Sequence, residues 1–168
     1  FLHLMQPVLR YAFMNVLGEG FGLLIHGCAV KTDNDGFIFV GPSGSGKTTL
    51  AGILRQDKAL TVLTDENIAI AEEKGKIVIY GTPWPGGGRI ASPDKARLKA
   101  VCFICHGRDN RLNKIFPAQA RRCLMQEAVW DAAKPQWVGN KLEFLQRLTR
   151  KTDCYELGFV NDPSIAVF

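Results

Sequence analysis

The sequence predicts an α/β domain built on a mixed β-sheet with flanking helices. Helical and strand-like apolar patterns both occur along the 168 residues. Two pairs of strand-like segments are each joined by a short turn, so they are predicted to form hairpins, and the sheet cannot be entirely parallel. No internal repeat, low-complexity tract or linker interrupts the chain, so residues 1–168 are predicted to form a single domain.

The first elements are a helix and a hairpin. Residues 6–21 have apolar side chains at a helical period, and two glycines end this helix. Residues 23–30 form a short apolar run typical of a buried strand. A turn at Asp33–Gly36 leads into a second strand at residues 37–40, and the two strands are predicted to pair.

A glycine-rich loop and a second hairpin follow. The loop covers residues 41–46, and a helix is predicted over residues 47–55. Residues 59–63 are typical of a strand. Residues 67–71 and 76–80 flank a Glu-Glu-Lys-Gly turn, which indicates the second hairpin.

The second half begins with an irregular segment. Residues 82–89 contain too much proline and glycine for regular structure. A strand is predicted at residues 100–105, followed by helices at residues 117–130 and 141–150. A closing strand is predicted at residues 154–160.

Composition excludes several classes of protein. The hydrophobic content of 46% and charged content of 22% are ordinary for a globular domain, and no apolar run is long enough to span a bilayer. The net charge of +5 is spread without an aromatic-interleaved basic stripe, so nucleic-acid binding is not predicted. Five cysteines, an odd number, and a start unlike a signal peptide favour reduced thiols and a cytoplasmic location.

The glycine-rich loop matches the phosphate-binding pattern G-x-x-x-x-G-K-[ST]. Glycines allow successive backbone N–H groups to converge on phosphate oxygens, and the positive end of the following helix points at the same anion. Lys47 adds a positive charge, and the Thr48 hydroxyl is a ligand suited to Mg²⁺. The pattern therefore predicts a site for ATP or another nucleotide with Mg²⁺. The predicted nucleotide-binding residues are Gly41, Pro42, Ser43, Gly44, Ser45, Gly46, Lys47, Thr48 and Thr49.

The two hairpins bring further polar residues toward this loop. The register of the first hairpin places His26 opposite residues 41–43, and that of the second places Asp65 and Glu66 opposite residues 82–84. A carboxylate at the end of a strand can hold Mg²⁺ or accept the proton of an attacking hydroxyl, with a nearby imidazole tuning it. Asp65 is thus a candidate metal ligand, and either carboxylate is a candidate base.

Phosphoryl transfer also needs positive charge over the transferred group. Arg89, at the end of the irregular segment, is the candidate, with Arg55, Arg97 and Arg108 as competitors. Trp84 in the same segment either packs against a ligand or anchors the segment.

These residues together resemble the catalytic domain of the bacterial HPr serine kinase/phosphorylase family, which is related in fold to phosphoenolpyruvate carboxykinase. The likeness is carried by His26-Gly27 before a hairpin, by Gly41-Pro-Ser-Gly-Ser-Gly-Lys-Thr-Thr-Leu50 and by Thr64-Asp65-Glu66. It is strongest over residues 23–84, whereas the rest of the chain agrees mainly in the order of elements. The resemblance implies a mixed sheet with a phosphate loop of the type found in these two families.

The resemblance also implies roles for individual residues. Lys47 and Thr48 would hold the phosphates and magnesium, His26 would pair with the acidic site, and Asp65 or Glu66 would activate a serine hydroxyl. Thr49 stands where HPr kinases usually have a glutamate, and residues 81–89 replace the family's signature for HPr docking. The chain is therefore more similar to small stand-alone HPr-kinase-like proteins, and neither HPr as substrate nor phosphorolysis is predicted.

The sequence thus predicts a Mg²⁺- and ATP-dependent kinase that phosphorylates a serine-type hydroxyl of a peptide or protein. A small-molecule kinase of the same fold, acting on free serine or a sugar, is one alternative. A regulatory module that binds a nucleotide without turnover is another. The identity of the phosphate donor and the assembly of the chain into a homo-oligomer stay open at this point.

Overall fold

The computed structural model describes residues 2–129, 134–160 and 165, and it shows one mixed sheet with helices on both faces. The helical segments are α1 (Leu2–Val16), a π-helical turn (Leu17–Phe21), α2 (Lys47–Leu54), α3 (Pro117–Glu127) and α4 (Gln136–Lys151). The strands are β1 (Gly22–His26), β2 (Cys28–Lys31), β3 (Asp35–Val40), β4 (Thr61–Thr64), β5 (Asn67–Glu73), β6 (Lys76–Tyr80), β7 (Lys95–His106), β8 (Arg111–Lys114), β9 (Ala128–Val129) and β10 (Asp153–Phe159). The predicted α/β class with a mixed sheet is confirmed.

The long strand β7 lies at the centre of the sheet. Neighbouring strands follow the order β4-β2-β3-β7-β6-β5-β1-β9, and β10 lies between β7 and β8. Strand β7 pairs in parallel with β3 and β10, and the other named pairs are antiparallel. The middle of β7 is a continuous apolar run, as expected for a strand that is covered on both faces.

Both predicted hairpins are confirmed. In the first, β2 pairs with β3, and Cys28 lies opposite Phe39. In the second, β5 pairs with β6, and Ile70 lies opposite Ile79. Lys74 and Gly75 have φ angles of 49° and 79°, the left-handed conformation that such a tight turn requires.

The first apolar run forms two strands, not the single strand predicted at residues 23–30. The chain bends at Gly27, where a Cβ would lie 2.7 Å from the carbonyl oxygen of Phe39. Before the bend, β1 pairs with β5 and β9; after it, β2 pairs with β3 and β4. The prediction that His26 pairs opposite residues 41–43 is therefore wrong, because its partner across the ladder is Asn67.

Several other boundaries also differ from the predictions. Helix α1 begins at Leu2, ahead of residue 6, and β7 begins at Lys95, five residues before the predicted start. Helix α3 ends at Glu127 because the next two residues pair with β1, and residue 130 lies outside the described residues. Helix α4 begins at Gln136, and the sequence pattern missed β8 and β9 altogether.

The helices cover opposite faces of the sheet. Helices α3 and α4 pack one face with side chains that include Leu124, Phe144 and Leu148. Helix α2 packs the other face with Leu50 and Leu54. Within the described ranges, no helix is both long and apolar enough to cross a membrane.

The reactivity of the cysteine thiols tests this burial pattern. Burial raises the pKa of the thiols of Cys28, Cys102 and Cys154 to about 12, so almost none of these thiols is ionised at mildly alkaline pH. We expect a thiolate-specific reagent to label half-buried Cys105 and Cys123 in the native protein, and the other three only after denaturation. Mass spectrometry of labelled peptides checks this, and rapid native labelling of the three buried thiols would contradict the packing.

Candidate functional site

The glycine-rich loop joins the end of β3 to the start of α2 and turns sharply at two glycines. Gly44 and Gly46 have φ angles of 82° and 98°, which residues with a side chain rarely adopt. Residues 46–49, where α2 begins, line one cavity, and the helix dipole makes this end favourable for an anion. The first N–H groups of a helix have no partner within the helix, so they are available to such a ligand.

Lys47 is held inside this loop. Its Nζ donates hydrogen bonds to the carbonyl oxygens of Gly41 at 2.6 Å and Pro42 at 3.0 Å, and the residue is 6% exposed. An ammonium group has three N–H donors, so one remains for a ligand. Burial lowers the pKa of Lys47, while the charges of Glu127 and Glu66 oppose that shift.

A cavity of about 480 Å³ opens at the N-terminus of α2. It is lined by Ser43, Gly44 and residues 46–49, together with His26, Asp65 and Glu66. We call it the donor cavity. It brings together most of the predicted site residues, whereas Gly41, Pro42 and Ser45 lie in the body of the loop behind it.

His26 reaches the donor cavity by a route different from the predicted one. The bend at Gly27 ends β1 beside the loop, and the N–H of Gly27 donates to the carbonyl oxygen of Glu66 at 2.9 Å. The Nδ1 atom of His26 lies 3.3 Å from Oε1 of Glu66. The two side chains are therefore in contact next to the end of β1.

Asp65 is buried beneath the irregular segment. Its carboxylate accepts backbone hydrogen bonds from Gly86 at 2.9 Å, Gly88 at 2.5 Å and Ile90 at 3.3 Å, and the residue is 2% exposed. A carboxylate has about four lone-pair sites, so three of them hold the segment in place. Asp65 is thus the anchor of the segment as well as part of the wall of the donor cavity.

A second cavity, of about 1000 Å³, lies on the other side of Glu66. Its walls are five residues of α1, the segment between Trp84 and Arg89, Glu66, Asn67 and Val129. We call it the acceptor cavity. Of residues 2–129, 134–160 and 165, Glu66 alone lines both this cavity and the donor cavity.

Arg89 and Trp84 belong to the acceptor cavity and do not line the donor cavity. Arg89 has a φ angle of 54°, an uncommon conformation for a residue with a side chain. Its N–H donates to the carbonyl oxygen of Gly86, which closes a tight turn. The ring of Trp84 packs on that of Phe13, with 5.6 Å between centroids, and so fixes the segment against α1.

The sequence patterns missed Glu127. Glu127 ends α3 directly before β9, whose Ala128 pairs with Ile25, the residue next to His26. Burial raises the pKa of Glu127, and the nearby positive charges of Lys47 and His26 oppose that shift. A strand of two residues has no recognisable periodicity, so only the fold reveals this carboxylate.

The donor cavity has oxygen atoms suited to Mg²⁺. Among the described residues, no group of three or more His, Cys, Asp or Glu side chains could hold a metal by itself. Mg²⁺, however, often uses one or two protein ligands together with phosphate oxygens and water. Thr48 and Asp65 both line the donor cavity, so the predicted pair of ligands is compatible with this coordination.

Comparisons with known proteins add little to this geometry. No family model matches the chain, and no curated protein matches it. Among solved structures, the chain is similar to the Hpr(Ser) kinase/phosphatase from Coxiella burnetii, with a TM-score of 0.45 and 10% sequence identity. The match covers 86% of this chain and 89% of that chain. A likeness this distant carries no argument about function.

The three consecutive glycines of the segment allow a matched test of its anchor. A Cβ at Gly88 would lie 2.5 Å from Oδ2 of Asp65, whereas one at Gly87 would meet nothing within 4 Å. We expect Gly88→Ala to displace the carboxylate, to lower the free energy of unfolding by about 1–3 kcal/mol and to speed amide exchange at residues 86–90. Gly87→Ala is the control and should change neither. Unchanged amide exchange in Gly88→Ala, measured by mass spectrometry, would show that Asp65 does not hold the segment.

Proposed function

We propose that this protein is a Mg²⁺-dependent kinase that transfers the γ-phosphoryl group of ATP to a serine-type hydroxyl of a peptide or protein. One observation carries the proposal: two cavities of different character share a single carboxylate, that of Glu66. A kinase must hold a phosphate donor and a hydroxyl acceptor on either side of a group that can take up a proton.

The donor cavity supplies what a polyphosphate requires. The N-terminus of α2 and the turn at Gly44 and Gly46 offer backbone N–H groups, and Lys47 offers a buried positive charge. Thr48 and Asp65 would hold Mg²⁺, which when bound neutralises negative charge on the phosphate oxygens. Residues 41–49 are therefore assigned to the nucleotide, as their sequence pattern predicts.

Glu66 is the better candidate for the base, because the oxygens of Asp65 are engaged by the backbone of the segment. The Glu66 side chain is 37% exposed and reaches both cavities. In the proposed step, the carboxylate takes the hydroxyl proton while the hydroxyl oxygen bonds to the γ-phosphorus. The bond from that phosphorus to the β–γ bridging oxygen breaks, and ADP leaves. His26 positions Glu66 through its Nδ1 contact and shares the proton.

Arg89 takes a different role in this proposal from the one its sequence position predicts. Because it lines the acceptor cavity, we assign it to binding of the acceptor rather than to the transferred phosphoryl group. Lys47 then remains the cation at the phosphates. Glu127, whose charge interacts with those of Lys47 and His26, balances their positive charge.

The acceptor cavity also argues against the two alternative functions, a regulatory module and a small-molecule kinase. A regulatory module that binds a nucleotide without turnover has no need of a second cavity joined to the first at a carboxylate. A cavity of about 1000 Å³ is at the upper end of small-molecule sites, so its size favours a peptide over free serine.

Two substitutions test the proposal by separating nucleotide binding from transfer. We expect Lys47→Met to weaken ATP binding by at least about tenfold, because it removes the buried cation. We expect Glu66→Gln to bind ATP normally and to lose about 100- to 10,000-fold in transfer rate, because the amide cannot accept the proton. Calorimetry measures binding, and radiolabelled ATP with serine peptides and small metabolites measures transfer.

The matched control is Glu143→Gln, at an exposed position of α4 that lines neither cavity. It should leave both quantities unchanged. Full transfer by Glu66→Gln would refute the assignment of the base. If the unaltered protein bound ATP but phosphorylated none of the acceptors, the proposed kinase activity would be refuted.

A further inference from the structure

We propose that the acceptor is a peptide segment with an acidic side chain next to the hydroxyl that is phosphorylated, and that Arg10 and Arg89 bind this acidic side chain. This inference rests on the proposed function and specifies its substrate class. The observations that carry it are two arginines and a buried amide oxygen that lack, respectively, an ion-pair partner and a donor within the described part of the chain, and the apolar walls of the acceptor cavity.

The two arginines reach the cavity from distant parts of the chain. Arg10 comes from α1 and Arg89 from the segment after β6, and both line the acceptor cavity. Among the described residues, no carboxylate lies within ion-pair distance of either guanidinium group. Both arginines line one cavity, so their positive charge favours a ligand with a carboxylate there. The planar guanidinium group also matches a carboxylate with two parallel hydrogen bonds.

Glu66 does not neutralise this pair. It is the only carboxylate that lines the acceptor cavity in the described part of the chain, and its Oε1 atom faces His26. The positive charge of Arg10 and Arg89 is therefore left for the ligand. A carboxylate one or two residues from the reacting hydroxyl would meet the arginines while the hydroxyl faces Glu66.

The inference includes a hydrogen bond from the ligand to the side chain of Asn67, which would turn toward the cavity to accept it. The residue is 1% exposed and lines the acceptor cavity, and its buried Oδ1 atom has no hydrogen-bond partner among the described residues. Its backbone is fixed, because the Thr82 hydroxyl donates to its carbonyl oxygen at 2.7 Å. A buried acceptor left without a donor is costly. A peptide offers a backbone N–H at nearly every residue, whereas a simple carboxylate or phosphate ion offers only acceptors.

The remaining walls suit an extended peptide. Pro7 and Met14 of α1 face the cavity together with Val129 and Trp84, so apolar surface surrounds the polar groups. The contact between Phe13 and Trp84 fixes the tryptophan in place before a ligand binds. A preformed wall lowers the entropic cost of binding a flexible segment.

The experiment uses short serine peptides that are blocked at both ends and differ only in the residues beside the serine, which are aspartate, asparagine or lysine. We expect kcat/KM for the aspartate peptide to exceed that of the asparagine peptide by about tenfold, mainly because KM is lower. This ratio is the effect expected from one charge-assisted hydrogen-bonded pair. The lysine peptide should be the poorest substrate. Added salt should reduce these differences.

Arg10→Glu should reverse the order, so that the lysine peptide becomes better than the aspartate peptide. Arg10→Gln, a milder change, should abolish the preference for aspartate, and thermal melting confirms that each variant is folded. Arg150→Glu is the matched control, because Arg150 is exposed on α4 and lines neither the donor nor the acceptor cavity. This control should retain the preference for aspartate.

The outcomes separate this inference from the proposed function. Equal phosphorylation of the three peptides would overturn the inference but would not contradict the proposed kinase activity. Phosphorylation of a small metabolite but of no peptide would overturn the peptide as substrate. If no acceptor were phosphorylated, the proposed function itself would fail and the inference with it.

Discussion

A buried carboxylate, that of Asp65, accepts backbone hydrogen bonds from Gly86, Gly88 and Ile90, and the layout of the site follows from these contacts. They fold the segment after β6 back over the end of β4. The segment then lines the acceptor cavity, while Asp65 lines the donor cavity from the other side. Glu66, the next residue, is left between them and reaches both. The different surroundings of these two adjacent acids thus arise from backbone hydrogen bonding.

A second constraint is the bend at Gly27, which divides one apolar run between two parts of the sheet. Strand β1 pairs with β5 and β9, and His26, its last residue, lies opposite Asn67. Strand β2 pairs with β3, which leads into the glycine-rich loop. The bend therefore brings His26, at the end of β1, to the cavity that the glycine-rich loop lines. Burial lowers the pKa of Lys47 and raises that of Glu127, and the attraction between their charges offsets part of both shifts.

Local patterns predicted much of this architecture, because turn chemistry sets the register of neighbouring strands over a few residues. Both hairpins and the glycine-rich loop are of this kind. Contacts between distant segments were beyond such reasoning. The hydrogen bonds of Asp65 join residues more than twenty positions apart, and Arg10 reaches the acceptor cavity from α1. His26 was predicted to lie beside the glycine-rich loop and does so, but through a bend that the apolar pattern of residues 23–30 conceals.

We propose that one carboxylate, that of Glu66, serves two cavities. A crystal structure of the protein with an unreactive ATP analogue, Mg²⁺ and a serine peptide bound together tests this. We expect the triphosphate at the N-terminus of α2 and the peptide between α1 and Arg89. We also expect the serine hydroxyl to lie about 2.6–3.2 Å from the carboxylate of Glu66. A serine hydroxyl held by Asp65, or a peptide bound away from the acceptor cavity, would contradict it.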